Sequence, residues 1–314
     1  REKLGGMALS TAAMKLIRAY FTNLAKHELA TAESNLKNFE TDAIGGFRPG
    51  TKLLSKQKEA LAWLESRDNS GVIALDTGVG KTLTTVASIQ KMRRDGVPGR
   101  YLYVCPASLR GNLAKEAYRF LEDPKTFIEQ VDVMSYRQFT DEFNKDPDFT
   151  KEYAAVFFDE AQELKNPTSG QSRAALRMKH PRKILLTASP MERSPMEVFT
   201  LAAISSNTDL NTPEGRVGMR SFRKRFAEEV GGRIVGIKDD PTTIKDMRVW
   251  VRQRLYFADK RDVEEFVLPK LTKATETITM DPEVEAKYRE EAAGVANVLR
   301  GLTLKYRDRV VSPE

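Results

Sequence analysis

The sequence predicts an α/β fold: a central, mostly parallel sheet with helices on both faces. Two observations carry that prediction. Five short runs are continuously apolar instead of alternating, as strands buried on both faces must be. Between those runs lie segments with helical spacing or turn chemistry, so the chain alternates strand and helix. The composition agrees, since 314 residues with 40% hydrophobic and 30% charged side chains can bury a sizeable core or two domains.

The elements follow in order. Residues 1–46 carry Ala13, Met14, Ile17, Tyr20, Phe21 and Leu24 at helical spacing and are expected to form a helical segment or linker. Gly45-Gly46 and Pro49-Gly50 punctuate the junction with residues 47–207, expected to be one α/β lobe. Val72-Ile73-Ala74-Leu75 is its first strand, followed by a glycine turn and a helix from about Lys81 to Arg94. Tyr101–Cys105 is the second, with a helix near Leu109–Phe120. Val131–Met134 precedes a short helix, Ala154–Phe158 comes next, and Lys183–Leu186 closes the series. Residues 208–270 read as a basic, helical protrusion. Residues 271–314 read as a linker with a helix on Val284, Tyr288, Ala292, Val295 and Leu299.

Composition excludes whole classes of function. A single cysteine, Cys105, allows no intramolecular disulfide and reads as a small buried hydrophobe. With only His27 and His180, no zinc cluster is expected. No apolar run approaches the roughly 20 residues that span a bilayer, so no membrane partner is expected. The net charge of +7 is concentrated between Arg216 and Arg254, where 11 Lys/Arg stand against 5 Asp/Glu. Such a segment suits a polyanion, although a solvated helix face would look the same.

Two motifs carry chemistry. Leu75-Asp76-Thr77-Gly78-Val79-Gly80-Lys81-Thr82 lies between a strand and a helix, where a phosphate-cradling loop must sit. Its glycines let backbone amides wrap a phosphate, Lys81 offsets phosphate charge, and Thr82 offers a hydroxyl to Mg²⁺. The expected nucleotide contacts are Thr77, Gly78, Val79, Gly80, Lys81, Thr82 and Leu83. The second motif is Asp159-Glu160-Ala161-Gln162, at the end of an apolar strand. Strand ends of such sheets are where ligands bind. Asp159 is suited to hold Mg²⁺ through water and Glu160 to polarise an attacking water. An acidic pair alone would equally serve as a helix cap; its place 78 residues beyond Lys81, with strands between, favours chemistry.

These motifs and their neighbours resemble the Snf-type, chromatin-remodeller-like DNA translocases of helicase superfamily two. The phosphate loop and Asp159-Glu160-Ala161-Gln162 match motifs I and II, and Gln57 matches the family's adenine-reading glutamine. Cys105-Pro106-Ala107-Ser108-Leu109 is similar to motif Ia, Val133-Met134-Ser135-Tyr136 to motif Ib, and Leu186–Met191 stands at motif III. Glu163–Ser169 resembles the segment after motif II, and Lys260-Arg261-Asp262-Val263 with Leu268-Pro269-Lys270 resembles the signature that closes the first lobe. Departures are Gln162 for histidine, Ala188-Ser189 for Gly-Thr, and Phe257-Ala258 for paired arginines; they fit a bacterial, archaeal or viral member.

The resemblance implies a RecA-like ATPase lobe that uses ATP and Mg²⁺, with catalytic Lys81, Asp159, Glu160 and Gln162 and coupling through Thr187 and Ser189. It implies duplex DNA as partner, through Ser108, Arg110, Ser135, Tyr136, Lys165 and Asn166. A second RecA-like lobe, in the same longer chain or in trans, is implied too, and a start at Arg1 is expected of a piece of a larger protein. Such a protein would act in the cytoplasm of a prokaryotic or virus-infected cell, or on its nucleoid, and would not be secreted. Two other functions explain motifs I and II: a P-loop ATPase acting on a non-nucleic-acid substrate, and a catalytically weak, ATP-gated DNA-binding module.

Overall fold

The computed structural model describes residues 3–4, 7–8, 36–210, 212–263, 265, 284–286 and 289–291. The central sheet is built from β1 (Gly71–Leu75), β2 (Arg100–Cys105), β3 (Val131–Ser135), β4 (Tyr153–Phe158) and β5 (Lys183–Thr187). Between β5 and the last sheet strand, β6 (Ala227–Val230) and β7 (Arg233–Ile237) form a separate antiparallel hairpin. The last strand, β8 (Leu255–Ala258), returns to the sheet. The spatial order is β8-β1-β5-β4-β2-β3, and every neighbouring pair is parallel.

Parallel pairing explains the continuous apolar runs. Ile73, Leu75, Tyr101, Tyr103, Phe157, Ile184 and Leu186 face one core; Val72, Leu102, Val104, Val156, Phe158 and Leu185 face the other. Successive residues point to opposite faces, so the middle of a strand covered on both sides favours apolar side chains, and the buried polar groups of β5 stand at its two ends, Lys183 and Thr187. The first core is covered by α1 (Ser55–Glu65), α2 (Lys81–Arg94), α3 (Asn112–Phe120) and α4 (Pro124–Glu129). The second is covered by α5 (Tyr136–Lys145), α6 (Gly170–Arg177), α7 (Pro195–Ser205), α8 (Pro213–Phe226) and α9 (Pro241–Arg252). Helix ends obey local rules: Ser135 and Gln138 form a capping box on α5, and Lys91, Arg93 and Arg94 complement the dipole in the last turn of α2.

The sheet has one strand more than the sequence predicts. β8 is only four residues long and lies in the stretch read as helical and basic. Its strand character comes from its neighbour, with Leu255, Tyr256, Phe257 and Ala258 in register with Val72, Ile73, Ala74 and Leu75. That pairing brings the chain after α9 back to the carboxyl edge of β1.

Of residues 1–46, Thr41–Ile44 forms a short helix, whereas the described residues nearest the amino terminus are not helical. Lys3–Leu4 and Met7–Ala8 form a two-residue antiparallel ladder. They flank Gly5-Gly6 in sequence, a pair that favours a hairpin over a helix. The helical spacing from Ala13 to Leu24 lies outside the described residues, as does Leu268-Pro269-Lys270. Leu268–Glu314 is a separate compact unit. In it residues 284–286 are helical and Arg289 pairs with Glu285 at 2.6 Å; Tyr288, Ala292, Val295 and Leu299 lie outside the described residues.

Candidate nucleotide site and nucleic-acid face

The carboxyl ends of β1, β5 and β4 are adjacent, and each delivers part of one site. From β1 the chain enters the glycine loop. Gly78 and Gly80 both take φ of +83°, a conformation L side chains rarely adopt. These turns aim the loop at the start of α2, whose first backbone pair joins Thr84 N to Gly80 O at 2.9 Å. The amides of Lys81, Thr82 and Leu83 precede that pair and have no intrahelical acceptor, so they face an incoming anion. Leu83 contributes that amide alone, because its side chain is buried in the first core.

The loop is braced from two sides. The Gln57 side chain is buried; its Nε2 donates to the carbonyls of Val79 (3.0 Å) and Gly80 (3.1 Å), and its Oε1 accepts from Leu54 N. On the other side the Asp76 amide donates to Ala258 O at the end of β8. The expected adenine-reading residue therefore holds the loop backbone.

β4 delivers the acidic pair. Asp159 is buried, and its Oδ2 accepts from the Tyr103 hydroxyl at 2.5 Å. Burial holds the Asp159 carboxyl above its usual range; the Tyr103 hydroxyl pulls the other way and the neighbouring Glu160 adds to the rise. Burial also drives the Tyr103 hydroxyl far up and, with Asp159 nearby, the Cys105 thiol to about 11, so both keep their protons at neutral pH. Glu160 follows with φ of +50°, strained for a residue with a side chain. That turn directs Glu160 toward Lys81, whose Nζ lies 3.9 Å from Glu160 Oε1 and 3.5 Å from the Leu75 carbonyl.

β5 completes the constellation. Thr187 Oγ1 donates to Gln162 Oε1 at 2.8 Å, and Gln162 Nε2 donates to Glu160 Oε2 at 2.8 Å. Ser189 N closes on Thr187 Oγ1 at 3.2 Å. A second bridge joins the same segments, with Lys165 Nζ 2.9 Å from Glu192 and 3.6 Å from Glu197.

The fit to a magnesium nucleotide rests on these donors. Oriented amides and the Lys81 ammonium suit a polyphosphate. Thr82 and Asp159 offer one hydroxyl and one carboxylate, the sparse set magnesium takes when phosphates and water fill its other positions. Among the described residues no group of three or more His, Cys, Asp or Glu could hold a metal by itself.

The residues expected to meet DNA divide into two groups. Ser108, Arg110 and Asn166 are exposed. Asn166 Oδ1 caps its own turn through Thr168, leaving the rest of its amide outward. The other three are turned inward. Ser135 is a buried helix cap, and the buried Tyr136 hydroxyl donates to the Asp159 carbonyl at 2.8 Å. Lys165 is buried and engaged with its two glutamates. Each of these three side chains is buried and has a neighbour within the protein, unlike the exposed Ser108, Arg110 and Asn166. In the basic segment, Arg216, Arg220, Lys224, Arg233, Lys245, Arg248 and Arg252 are exposed on α8, the β6–β7 hairpin and α9. Arg223 and Arg225 are paired, with Glu229 and Asp246. Trp250 packs on Phe199 and Phe222 instead of facing a ligand.

Comparison with known proteins decides the family. The model of the SNF2-related domain matches residues 56–154 and 126–310. The chain belongs to the SNF2-related family. Curated relatives include Helicase SWR1 of Yarrowia lipolytica, 24% identical over 66% of this chain, and the ISWI chromatin-remodeling complex ATPase ISW1 of Saccharomyces cerevisiae, 24% identical over 68%. The putative ATP-dependent helicase/translocase YwqA of Bacillus subtilis is 24% identical over 81%. The Sulfolobus solfataricus SWI2/SNF2 ATPase core in complex with dsDNA shares the fold, with a TM-score of 0.53 and 20% identity over 82% of this chain. The chain spans 13%, 20% and 29% of those three relatives and 55% of the solved core. Its sheet and helices are thus those of an SNF2-type, helicase-like ATPase.

Four residues at the site escape sequence reasoning. Tyr103 lies mid-strand among apolar residues, and only the adjacency of β2 and β4 reveals its role. Glu192 and Glu197 are ordinary acids until Lys165 is seen between them. Lys260 belongs to a recognisable motif, but its place beside Gly78, 3.4 Å from where a Cβ would stand, depends on β8.

Proposed function

We propose that this chain is the first ATPase lobe of an ATP-dependent translocase on duplex DNA. One observation carries the reading: β1, β4 and β5 bring Lys81, Glu160, Gln162 and Thr187 into one connected set, with Asp159 adjoining Glu160 in the chain. In this reading the phosphates sit on the amides from Gly78 to Leu83, and Lys81 offsets their charge. Thr82 and Asp159 hold magnesium, which supplies Lewis-acid stabilisation when bound. Glu160 orients and deprotonates the attacking water. Gln162 and Thr187 hold the Glu160 carboxylate and link it to the segment Thr187–Glu192.

Duplex DNA is proposed as the track, held by its backbone through Ser108, Arg110, Asn166 and the basic segment. Support comes from the exposed arginines and from the family's solved core, which is a complex with dsDNA. A second lobe is proposed to supply the remaining transition-state charge; where measured, an arginine supplied this way is worth about 10³ to 10⁵ in rate.

Binding of a fluorescent ATP analogue to residues 1–314 tests the reading. The expected result is saturable, magnesium-dependent binding that Lys81→Ala abolishes, with turnover below about one per second for the lone chain. Binding indifferent to Lys81→Ala would refute it.

A further inference from the structure

The ammonium of Lys260 lies beside the phosphate loop. A Cβ built on Gly78 would stand 3.4 Å from Lys260 Cε and 3.7 Å from Nζ. Its backbone explains the placement. β8 runs parallel to β1 with Ala258 opposite Leu75, and the Asp76 amide donates to the Ala258 carbonyl. Both strands therefore end at one edge, where the chain after β8 turns in a short helix, Lys260–Asp262. The Asp259 carboxylate caps that turn by accepting from the Arg261 amide. The same carboxylate pairs with the Arg261 guanidinium at 2.7 Å.

The turn thus spends the Asp259 and Asp262 carboxylates on its own backbone and on Arg261, and it leaves the Lys260 ammonium without a close ion-pair partner. Among the described residues no carboxylate stands within ion-pair distance of the Lys260 ammonium, although it is only half-exposed. A lysine committed to structure finds an acid or extends into water, as Lys91 does with Glu65 and Asp95. Lys260 instead places its ammonium at the rim of the phosphate loop.

We infer that Lys260 is a second phosphate-binding cation, presented to the nucleotide by the last strand of the sheet. This inference rests on the nucleotide reading above and adds a ligand from outside motifs I and II. A lysine acts on phosphate as a mobile point charge, so it can approach a polyphosphate across the rim of Gly78 without fixed geometry. A Cβ on Gly78 would make only van der Waals contact with the lysine stem, so the glycine there answers to its φ of +83° and not to the lysine.

Titration of residues 1–314 with fluorescent ATP and ADP, and with adenosine by calorimetry, tests it in wild type, Lys260→Ala, Lys260→Arg and Lys81→Ala. The expectation for Lys260→Ala is a roughly tenfold loss of ATP affinity, a smaller loss for ADP and none for adenosine, as one charge-assisted contact predicts. Lys260→Arg should recover most of the loss, and the melting temperature of Lys260→Ala should stay at the wild-type value. ATP binding unchanged in Lys260→Ala but abolished in Lys81→Ala would overturn this inference and leave the nucleotide site standing. An equal loss for adenosine and ATP would overturn it too, by assigning Lys260 to loop shape. Absence of ATP binding by the wild type would overturn the nucleotide reading itself.

Discussion

Thr187, at the end of β5, donates its hydroxyl hydrogen to the side-chain oxygen of Gln162 at 2.8 Å, and so joins two segments 25 residues apart in the chain. Gln162 spends its amide hydrogen on Glu160, so the three side chains form one line from the central strand to the group facing Lys81. Glutamine suits this middle position because it accepts at one end and donates at the other.

Breaking that line should affect turnover more than binding. Thr187→Val removes the donor at nearly constant volume and frees the Gln162 amide to reorient. In the longest natural form of the protein, a roughly tenfold fall in DNA-stimulated turnover is expected, with nucleotide affinity within about twofold, as coupling changes of about 1–2 kcal/mol imply. Steady-state hydrolysis beside analogue binding checks this. A large loss of affinity with turnover intact would contradict it.

Gly80 cannot be replaced without cost. Its φ is +83°, and a Cβ there would lie 2.4 Å from Gln57 Nε2. Gly80→Ala is therefore expected to displace Gln57 and reshape the loop. Destabilisation of about 1–3 kcal/mol and a loss of nucleotide affinity above tenfold should follow. Urea unfolding and analogue titration on the same preparation would reveal both.

Tyr136 and Arg110 should separate cleanly. Tyr136→Phe deletes the buried hydroxyl that satisfies the Asp159 carbonyl, at a cost of about 1–2 kcal/mol in stability, with no change in the salt dependence of DNA binding. Arg110→Ala should leave stability alone and lower the slope of log affinity against log salt by about one. Reversed results would place Tyr136 on the DNA.

The five buried strands, the glycine loop and the acidic pair at the end of β4 were legible in the sequence because each is local. Continuous apolar runs mark strands covered on both faces, and glycines before Lys81 mark the turn. β8 was not legible, since Phe257 is exposed and four residues flanked by charge have no period of their own; its partner β1 makes it a strand. Side-chain direction was equally hidden. Tyr136 and Lys165 have the chemistry of DNA contacts, but the second core buries the first and two glutamates hold the second.

Lys183 is a fully buried lysine at the start of β5 that donates to the Met178 carbonyl at 3.1 Å, and burial pushes its pKa down to about 7. In the unfolded chain a lysine keeps its proton to about pH 10.4. Between those values the unfolded state binds one proton more, so stability rises with pH by up to about 1.4 kcal/mol per unit and is lost as pH falls toward 7. Lys183→Met should remove that slope. The deficit of wild type relative to the variant in urea midpoint should shrink from pH 7 to pH 9.5, and a constant gap would mean the lysine stays charged.

The most direct test of the translocase reading is ATP hydrolysis by the longest natural form of this protein, with and without duplex DNA, beside its Glu160→Gln variant. Strong stimulation by duplex that disappears in the variant is the predicted result. Hydrolysis indifferent to nucleic acid, or undiminished in Glu160→Gln, would contradict it.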